Sequence, residues 1–112
     1  MDRFPRKIPK EPKRSTRWKS GAHANHVRSH ECSMCGSRVN IQFAHYRLGS
    51  GAGIGQKPDD WRATSLCKEC HDRQHIVGEE TFWAGKDVMA IIDFFCRTSP
   101  RAMEIRNIRN ER

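Results

Sequence analysis

The chain has 112 residues, of which 36% are hydrophobic and 30% are charged, and its net charge is +8. A chain of this length and polarity can bury one modest core, which a disulfide or a metal usually reinforces in small domains. No run of about 18 apolar residues is present, which excludes a transmembrane helix, and the N-terminus lacks the apolar segment of a secretory signal. We therefore expect a cytoplasmic protein whose paired cysteines bind metal rather than form disulfides.

The positive charge is concentrated at the two ends of the chain. Residues 1–30 contain nine Lys and Arg against two acids, and residues 97–112 contain five Arg against two Glu. The middle, 31–96, contains seven Lys and Arg against nine acids. Basic ends of this kind are typical of nucleic-acid binding through phosphates, and a solvated tail that aids solubility is the alternative. An anionic membrane surface is disfavoured, because no amphipathic face accompanies the charge.

The N-terminal half predicts an arm, a helix and two strands. Residues 1–14, rich in Lys, Arg and Pro, predict a basic disordered arm. Ser15 or Thr16 is a candidate cap for a short helix before residue 30 that carries Trp18 on the same side as Val27. Partial alternation predicts a strand or hairpin arm within 38–48. Residues 49–60, with four glycines and one proline, predict a loop, and residues 61–66 predict a second strand.

The C-terminal half predicts helices. One begins at residues 67–75, and residues 78–83 either continue it or start another. Residues 87–96 have apolar side chains at i, i+3, i+4 and i+7, with Asp87 as a plausible N-cap. Ser99 as N-cap and Pro100 at the first helical position predict a basic final helix. The predicted organisation is therefore a basic arm over 1–14, a central domain over 15–96 and a basic C-terminal helix over 97–112.

Two CxxC pairs are the strongest chemical signal in the sequence. Four thiolates complete a tetrahedral zinc shell with no open position, which is a structural site. Such a site suits a chain with a thin core, because metal-binding energy becomes folding energy. Two disulfides or a redox CxxC are the alternatives. The predicted ligands are Cys32, Cys35, Cys67 and Cys70, whereas the fifth cysteine, Cys96, lies on the apolar helix and is expected to be buried.

Three histidines suggest a second metal. On a helix, His71 and His75 are i and i+4, so they project from one face and can share an ion. One of them could instead replace a cysteine in the zinc shell, or both could merely cover the helix. His45 lies on the first predicted strand, which the zinc pairs would bring beside that helix. A general base next to a divalent cation is what metal-assisted phosphodiester hydrolysis needs.

Other polar and aromatic residues carry weaker signals. Asp59 and Asp60 could orient His45, join a metal shell or cap the turn, and the turn is favoured. A further metal site at His23, His26 and His30 is conceivable, although neither the predicted strand nor the main helix obviously contacts these residues. The large aromatic residues are expected mainly in the core, and they are Trp18, Trp61, Phe82 and Trp83. Trp18 lies among basic residues and is the best candidate for base stacking.

The order CxxC, a strand with AH, a glycine loop and LCxxCHxxxH resembles the HNH endonucleases of the ββα-metal fold. More narrowly, FAHYR…GxGxKPDD…ATSLCxxCHxxxH resembles small HNH proteins of phages and prophages, including the recombination-enhancement type of nuclease. The resemblance covers residues 31–83 well and the two ends weakly. It implies an α+β, ββα-metal domain that a four-cysteine zinc site stabilises, with flanking helices and a basic N-terminal arm.

The resemblance also implies roles for individual residues. His45 matches the general base, His71 matches a ligand of the catalytic metal, and His75 matches a residue that ligates metal or contacts phosphate. The catalytic ion would be Mg²⁺, Mn²⁺, Ni²⁺ or Zn²⁺, and the four cysteines match a structural zinc. Two positions depart from the pattern. Ala44 stands where many members have a metal-ligating Asp or His, and Arg62 stands near the expected Asn, whose role Asp60 is the candidate to take over.

Three functions compete at this stage. The first is a metal-dependent DNA endonuclease of low sequence specificity, with few base-reading elements. The second is a zinc-ribbon-like protein that binds nucleic acid without cutting it. The third is a structural protein whose basic tails contact a polymerase or a recombination or packaging partner.

Overall fold

The computed structural model describes residues 17–50 and 57–111. Within these ranges lie two strands and five helices, which confirms the α+β class. The elements are α1 (Gly21–Arg28), β1 (Ile41–His45), β2 (Ala63–Cys67), α2 (Lys68–Val77), α3 (Glu79–Phe82), α4 (Val88–Thr98) and α5 (Ala102–Glu111). The predicted arm at 1–14 and the centre of the glycine loop fall outside the described residues. No described helix is long and apolar enough to cross a membrane.

The two strands form an antiparallel pair whose register runs from Ile41 opposite Cys67 to His45 opposite Ala63. Every residue of β2 is buried, whereas β1 is mostly half-buried. The first strand is shorter than the alternation predicts. Asn40 has a φ of 54°, outside the extended region, and Val39 is 67% exposed rather than on the buried face. The second strand runs directly into α2, so that β1, β2 and α2 form one continuous unit.

Helix α1 begins later than its predicted caps. Ser20 is the N-cap, and its hydroxyl oxygen accepts a hydrogen bond from the backbone N–H of His23 at 3.1 Å. The predicted caps at residues 15 and 16 lie outside the described residues, and Trp18 precedes the helix rather than sharing a face with Val27. Ser20 caps the helix because its hydroxyl can reach an otherwise unpaired N–H of the first turn.

The two C-terminal helices pack against each other and against the sheet. The carboxylate of Asp87 accepts from the N–H of Ala90 at 3.1 Å, which confirms the predicted N-cap of α4. Helix α4 continues to Thr98, past the boundary predicted at residues 96 and 97. The regular part of the last helix starts at Ala102, after a turn over Pro100 and Arg101. The Ser99 hydroxyl accepts from the N–H of Arg101 at 3.0 Å, which is the contact expected of the predicted N-cap.

The core is small, and cysteines form part of it. Leu66 from β2, Ile92 from α4 and Ile105 from α5 are almost completely buried and meet in one cluster. Cys32, Cys67, Cys70 and Cys96 belong to the same cluster, and the burial of Cys96 agrees with its predicted structural role. Each buried Leu or Ile contributes about 2 kcal/mol by the hydrophobic effect. Because the core is small, a large share of the stability must come from the group of cysteines.

His23 is the most completely buried ionisable side chain of α1, with 0% exposure. Its Nδ1 lies 2.9 Å from the hydroxyl oxygen of Ser99, and its ring contacts Trp18 and Phe43. Burial lowers the pKa of His23 to about 4, and the nearby His26 reinforces the shift while Asp60 opposes it. In its neutral form, His23 therefore links α1 to the turn between α4 and α5.

The neutral state of His23 makes stability depend on pH. The folded-state pKa lies below the unfolded value of about 6.5, so this contribution is fully present above about pH 6.5 and is lost as pH falls toward 4. His23→Phe keeps the ring and removes the titration. We expect wild type to lose on the order of 2 kcal/mol more than the variant between about pH 7 and pH 4.5. Urea unfolding at equal zinc concentration measures this, and identical losses in both proteins would contradict it.

Candidate metal and active site

The four predicted cysteines come together. One sulfur from each of Cys32, Cys35, Cys67 and Cys70 lies within 4.8 Å of the others, and only Cys35 is exposed. The sulfurs of Cys35 and Cys67 are 3.7 Å apart. Sulfurs bound tetrahedrally to zinc at about 2.3 Å lie about 3.8 Å from one another, so this spacing fits. The group could hold a structural metal ion such as zinc, and four thiolates would leave no position for a substrate.

Hydrogen bonds hold the first CxxC pair, Cys32 and Cys35, against β2. The turn after Cys35 passes through Gly36 at a φ of +80°, a conformation that a side chain would strain. Next to this turn, the N–H of Ser33 donates to the carbonyl of Ser65 at 2.7 Å. The Ser65 hydroxyl in turn donates to the carbonyl of Glu31 at 2.7 Å. The second CxxC pair needs no such hydrogen bonds, because it spans the junction of β2 and α2.

The local environment favours a thiolate at Cys32. Burial opposes its ionisation, but backbone N–H groups of Cys35, Cys67 and Met34 direct their partial positive charge at the sulfur and lower its pKa to about 6. The turn that carries Cys32 therefore supplies an ionised sulfur near neutral pH, which is the form that binds metal.

His45 is the last residue of β1, and Asp60 fixes its ring. The Nε2 atom lies 2.9 Å from Oδ1 of Asp60. The same carboxylate accepts from Nη1 of Arg17 at 2.8 Å and from the N–H of Ser20 at 2.9 Å. Of the three roles considered for Asp60, the contacts correspond to orienting His45. An ionised Asp60 accepts a hydrogen bond from Nε2–H, which leaves Nδ1 as the nitrogen with the free lone pair.

The charges around this pair favour a neutral imidazole beside a carboxylate. Burial lowers the pKa of His45, while the hydrogen bond and charge of Asp60 raise it and the charges of Arg17 and Lys57 lower it further. Burial opposes ionisation of Asp60, but its hydrogen bonds from Ser20, His45 and Arg17 bring the pKa of that carboxyl below its ordinary value. At neutral pH the ring can therefore accept a proton, as a general base must.

The two helix histidines lie side by side on α2, as their spacing predicts. The ring centroids of His71 and His75 are 4.8 Å apart. Nδ1 of His71 lies 2.8 Å from the amide oxygen of Gln42 on β1. An amide oxygen only accepts, so Nδ1 of His71 carries the proton and Nε2 is left to bind a ligand. Burial lowers the pKa of His71, and the charge of His75 lowers it further, which keeps this ring neutral.

A groove of about 440 Å³ joins the three histidines. His45, His71 and His75 all line it, together with the basic residues Arg47 and Lys57. Glu79 closes one side, where its two carboxylate oxygens accept from the backbone N–H groups of Arg47 and Leu48 at 2.7 and 2.8 Å. A groove in which two basic residues lie beside histidines suits an anionic ligand such as a phosphodiester.

The histidines do not form a closed metal cage. Within 17–50 and 57–111, the cysteines are the one group in which three or more His, Cys, Asp or Glu ligand atoms lie together. The two departures from the HNH pattern have structural roles instead. Ala44 is completely buried in the sheet opposite Thr64. Arg62 donates to the carbonyls of Tyr46 and Leu48 and so braces the chain that follows His45.

The remaining sequence candidates have structural contacts. In α1, Nε2 of His26 lies 2.7 Å from the Thr98 hydroxyl, and the ring of His30 packs edge-on against Phe95. Within the described residues His23, His26 and His30 do not form a metal-binding group. The aromatic residues agree with the predicted core role, since Phe82 and Trp83 are buried in the cluster and Trp18 and Trp61 pack against it.

Sequence reasoning included Asp60 as a candidate for orienting His45, but it missed two other residues around the histidines, Gln42 and Arg17. Gln42 had a readable signal, because it is a polar side chain in an otherwise apolar strand, three positions before the candidate base. Arg17 was counted only as part of the basic N-terminal charge. Its pairing with Asp60, 43 positions away, has no local signature.

Comparison with protein-family models gives one result for this chain. The model of a family described as a protein of unknown function, DUF968, matches residues 2–89. The chain belongs to this family. The match includes the cysteine group, the three groove histidines and Asp60, and it ends at the start of α4. No curated protein and no solved structure matches the chain.

The thiol group predicts that metal removal unfolds the protein. We expect about one tightly bound metal ion per chain, with zinc as the preferred ion. A strong chelator should abolish cooperative thermal unfolding. Cys70→Ser should lose the ion and most helical signal. Cys96→Ala is the matched control, because it also removes a buried cysteine but should keep the ion and lower the free energy of unfolding only slightly. Metal analysis and circular dichroism measure both, and a folded, metal-free Cys70→Ser would contradict the assignment.

Proposed function

We propose that the protein is a metal-dependent endonuclease of the HNH type that hydrolyses DNA phosphodiester bonds with low sequence specificity. The observation that carries this proposal is the His45–Asp60 pair opening into a groove that His71 and His75 also line. The order of strand, strand and helix around that groove supports it. The cysteine group would hold a structural zinc that anchors α2 to the sheet.

His45 is the general base in this proposal. Its neutral Nδ1 takes a proton from the water that attacks the phosphorus, and Asp60 stabilises the imidazolium that forms. Arg47 and Lys57 line the same groove and offset the charge of the phosphate. A divalent cation, when bound, stabilises the negative charge that develops on the scissile phosphate and the leaving oxygen.

His71 and His75 would hold that divalent cation. The hydrogen bond from His71 to Gln42 orients the first ring, as the outer partners of metal-bound histidines commonly do. Two imidazole nitrogens would suit Ni²⁺, Zn²⁺ or Mn²⁺ better than Mg²⁺, which prefers oxygen ligands. Gln42 therefore acts as a positioning residue and not as a ligand.

The second candidate is a non-catalytic, zinc-ribbon-like protein that binds nucleic acid. The observation that favours it is the small ligand set, since within the described residues only two histidines face the proposed catalytic ion and Ala44 offers no third ligand. The two candidates differ in whether His45 is needed for activity and not in whether nucleic acid binds.

The endonuclease proposal predicts nicking of supercoiled plasmid that needs both a divalent cation and His45. We expect wild type to nick with Mg²⁺, Mn²⁺ or Ni²⁺ and to stop when EDTA is added. His45→Ala should lose roughly 100-fold or more in rate, the usual range for a missing general base. His30→Ala is the matched control, because it removes a histidine outside the groove and should retain activity.

Binding distinguishes the two candidates in the same experiment. If wild type fails to nick with every metal, while wild type and His45→Ala bind DNA equally and with the same salt dependence, the non-catalytic candidate stands and the endonuclease is rejected.

The charges beside His45 predict opposite pH shifts for two variants. Asp60 raises the pKa of His45 and Arg17 lowers it. Since the base works unprotonated, Asp60→Asn should move the acidic limb of the nicking rate to lower pH and lower the plateau rate, because the base is weaker. Arg17→Met should move the same limb to higher pH. Rates measured from about pH 4.5 to pH 8 test this, and shifts in one direction for both variants would contradict the role of His45.

A further inference from the structure

A second groove, of about 590 Å³, runs between α4 and α5. Its lining shares no residue with the histidine groove. Arg97 comes from α4, and Arg106 and Arg109 come from α5. The floor is apolar and includes Ala102 and Ile105, and Asp93 is the one acidic residue that lines it. Three guanidinium groups against one carboxylate give this groove a net positive charge.

Two of these arginines have no partner in the part of the chain that the structure describes. Within the described residues, Arg97 and Arg106 are exposed and make no hydrogen bond or ion pair, whereas Arg109 pairs with Asp93 at 2.9 Å. Other surface arginines are paired, such as Arg38 with Glu31 and Arg101 with Glu104. Unpaired guanidinium groups that line one groove are available to an anionic ligand, which would offset their mutual repulsion.

Aromatic stacking connects the second groove to the histidine groove. The guanidinium of Arg109 lies 4.3 Å from the ring centroid of Trp61, and that of Arg62 lies 5.4 Å from the same ring. Arg62 also donates to the carbonyl of Tyr46, the residue after His45. Arginines held against an aromatic ring lose less freedom when they bind an anion, which favours affinity. A row of guanidinium groups therefore leads from the segment after His45 to α5.

We propose that the α4–α5 groove is a second contact surface for the phosphodiester backbone of duplex DNA, with Arg97 and Arg106 as its phosphate ligands. The inference rests on the proposed function for its choice of nucleic acid, but it does not depend on cleavage. A repeating chain of phosphates matches a basic surface that extends over two grooves better than a single anion does. An apolar floor between the arginines suits the sugar part of the backbone.

Salt-dependent binding tests this surface directly. The affinity for a duplex of about 30 base pairs is measured by fluorescence anisotropy between about 50 and 200 mM salt, in the His45→Ala background so that the DNA stays intact. Arg97→Ala/Arg106→Ala should lower the slope of log affinity against log salt by about two and weaken binding roughly tenfold. The matched control, Arg38→Ala/Arg101→Ala, also loses two exposed positive charges, but those are paired and lie outside the groove. It should change the slope by less than about half a unit.

The outcomes separate this inference from the endonuclease proposal. Equal slopes for the groove and control variants, with unchanged melting temperatures, would overturn the inference even if wild type nicks plasmid. A slope that falls only in the groove variant supports the inference even if no protein nicks. Duplex DNA that fails to bind, while poly-glutamate binds through the same two arginines, would overturn the inference in favour of an acidic protein partner.

Discussion

The convergence of four thiols at one point is the constraint on which the rest of the structure depends. Cys32 and Cys35 lie in a turn between α1 and β1, while Cys67 and Cys70 lie where β2 becomes α2. A metal at this point would join two segments about thirty residues apart and fix the direction in which α2 leaves the sheet. The positions of His71 and His75 relative to β1 follow from that direction. A chain with so small a core has few other means of holding them there.

Asp60 is the second point on which distant parts of the chain converge. Its carboxylate receives Arg17 and Ser20 from the segment before α1 and His45 from the end of β1. A buried carboxylate is costly unless it is paired and hydrogen-bonded, and these three donors meet that condition. The interaction that orients the candidate base is thus also the interaction that docks the start of α1. For this reason, a change at Asp60 affects both the groove and the packing of α1.

The sequence predicted the elements and the chemistry better than it predicted their ends and outer partners. The CxxC spacing located the thiol group, because ligand spacing is a short-range property of the chain. The helical repeat located α4 and the neighbouring rings of His71 and His75 for the same reason. The cap of α1 was wrong, because Ser20 has the same capping hydroxyl as the predicted Ser15 and Thr16. The regular part of α5 begins two residues after the predicted Pro100. Gln42 and Arg17 were missed because their partners lie far away in sequence, and only the folded chain brings them together.

The placement of positive charge completes the argument about function. The sequence shows basic ends around a slightly acidic centre, which by itself fits a solvated tail as well as a nucleic-acid ligand. The fold argues against a solvated tail at the C-terminal end. Ile105 is buried against the core, so α5 is a packed helix and not a tail. Packing fixes Arg106 and Arg109 on the groove side of that helix, and Trp61 holds Arg109 toward the sheet. Arginines needed only for solubility gain nothing from such fixed positions, whereas arginines that bind a phosphate backbone lose less entropy because of them.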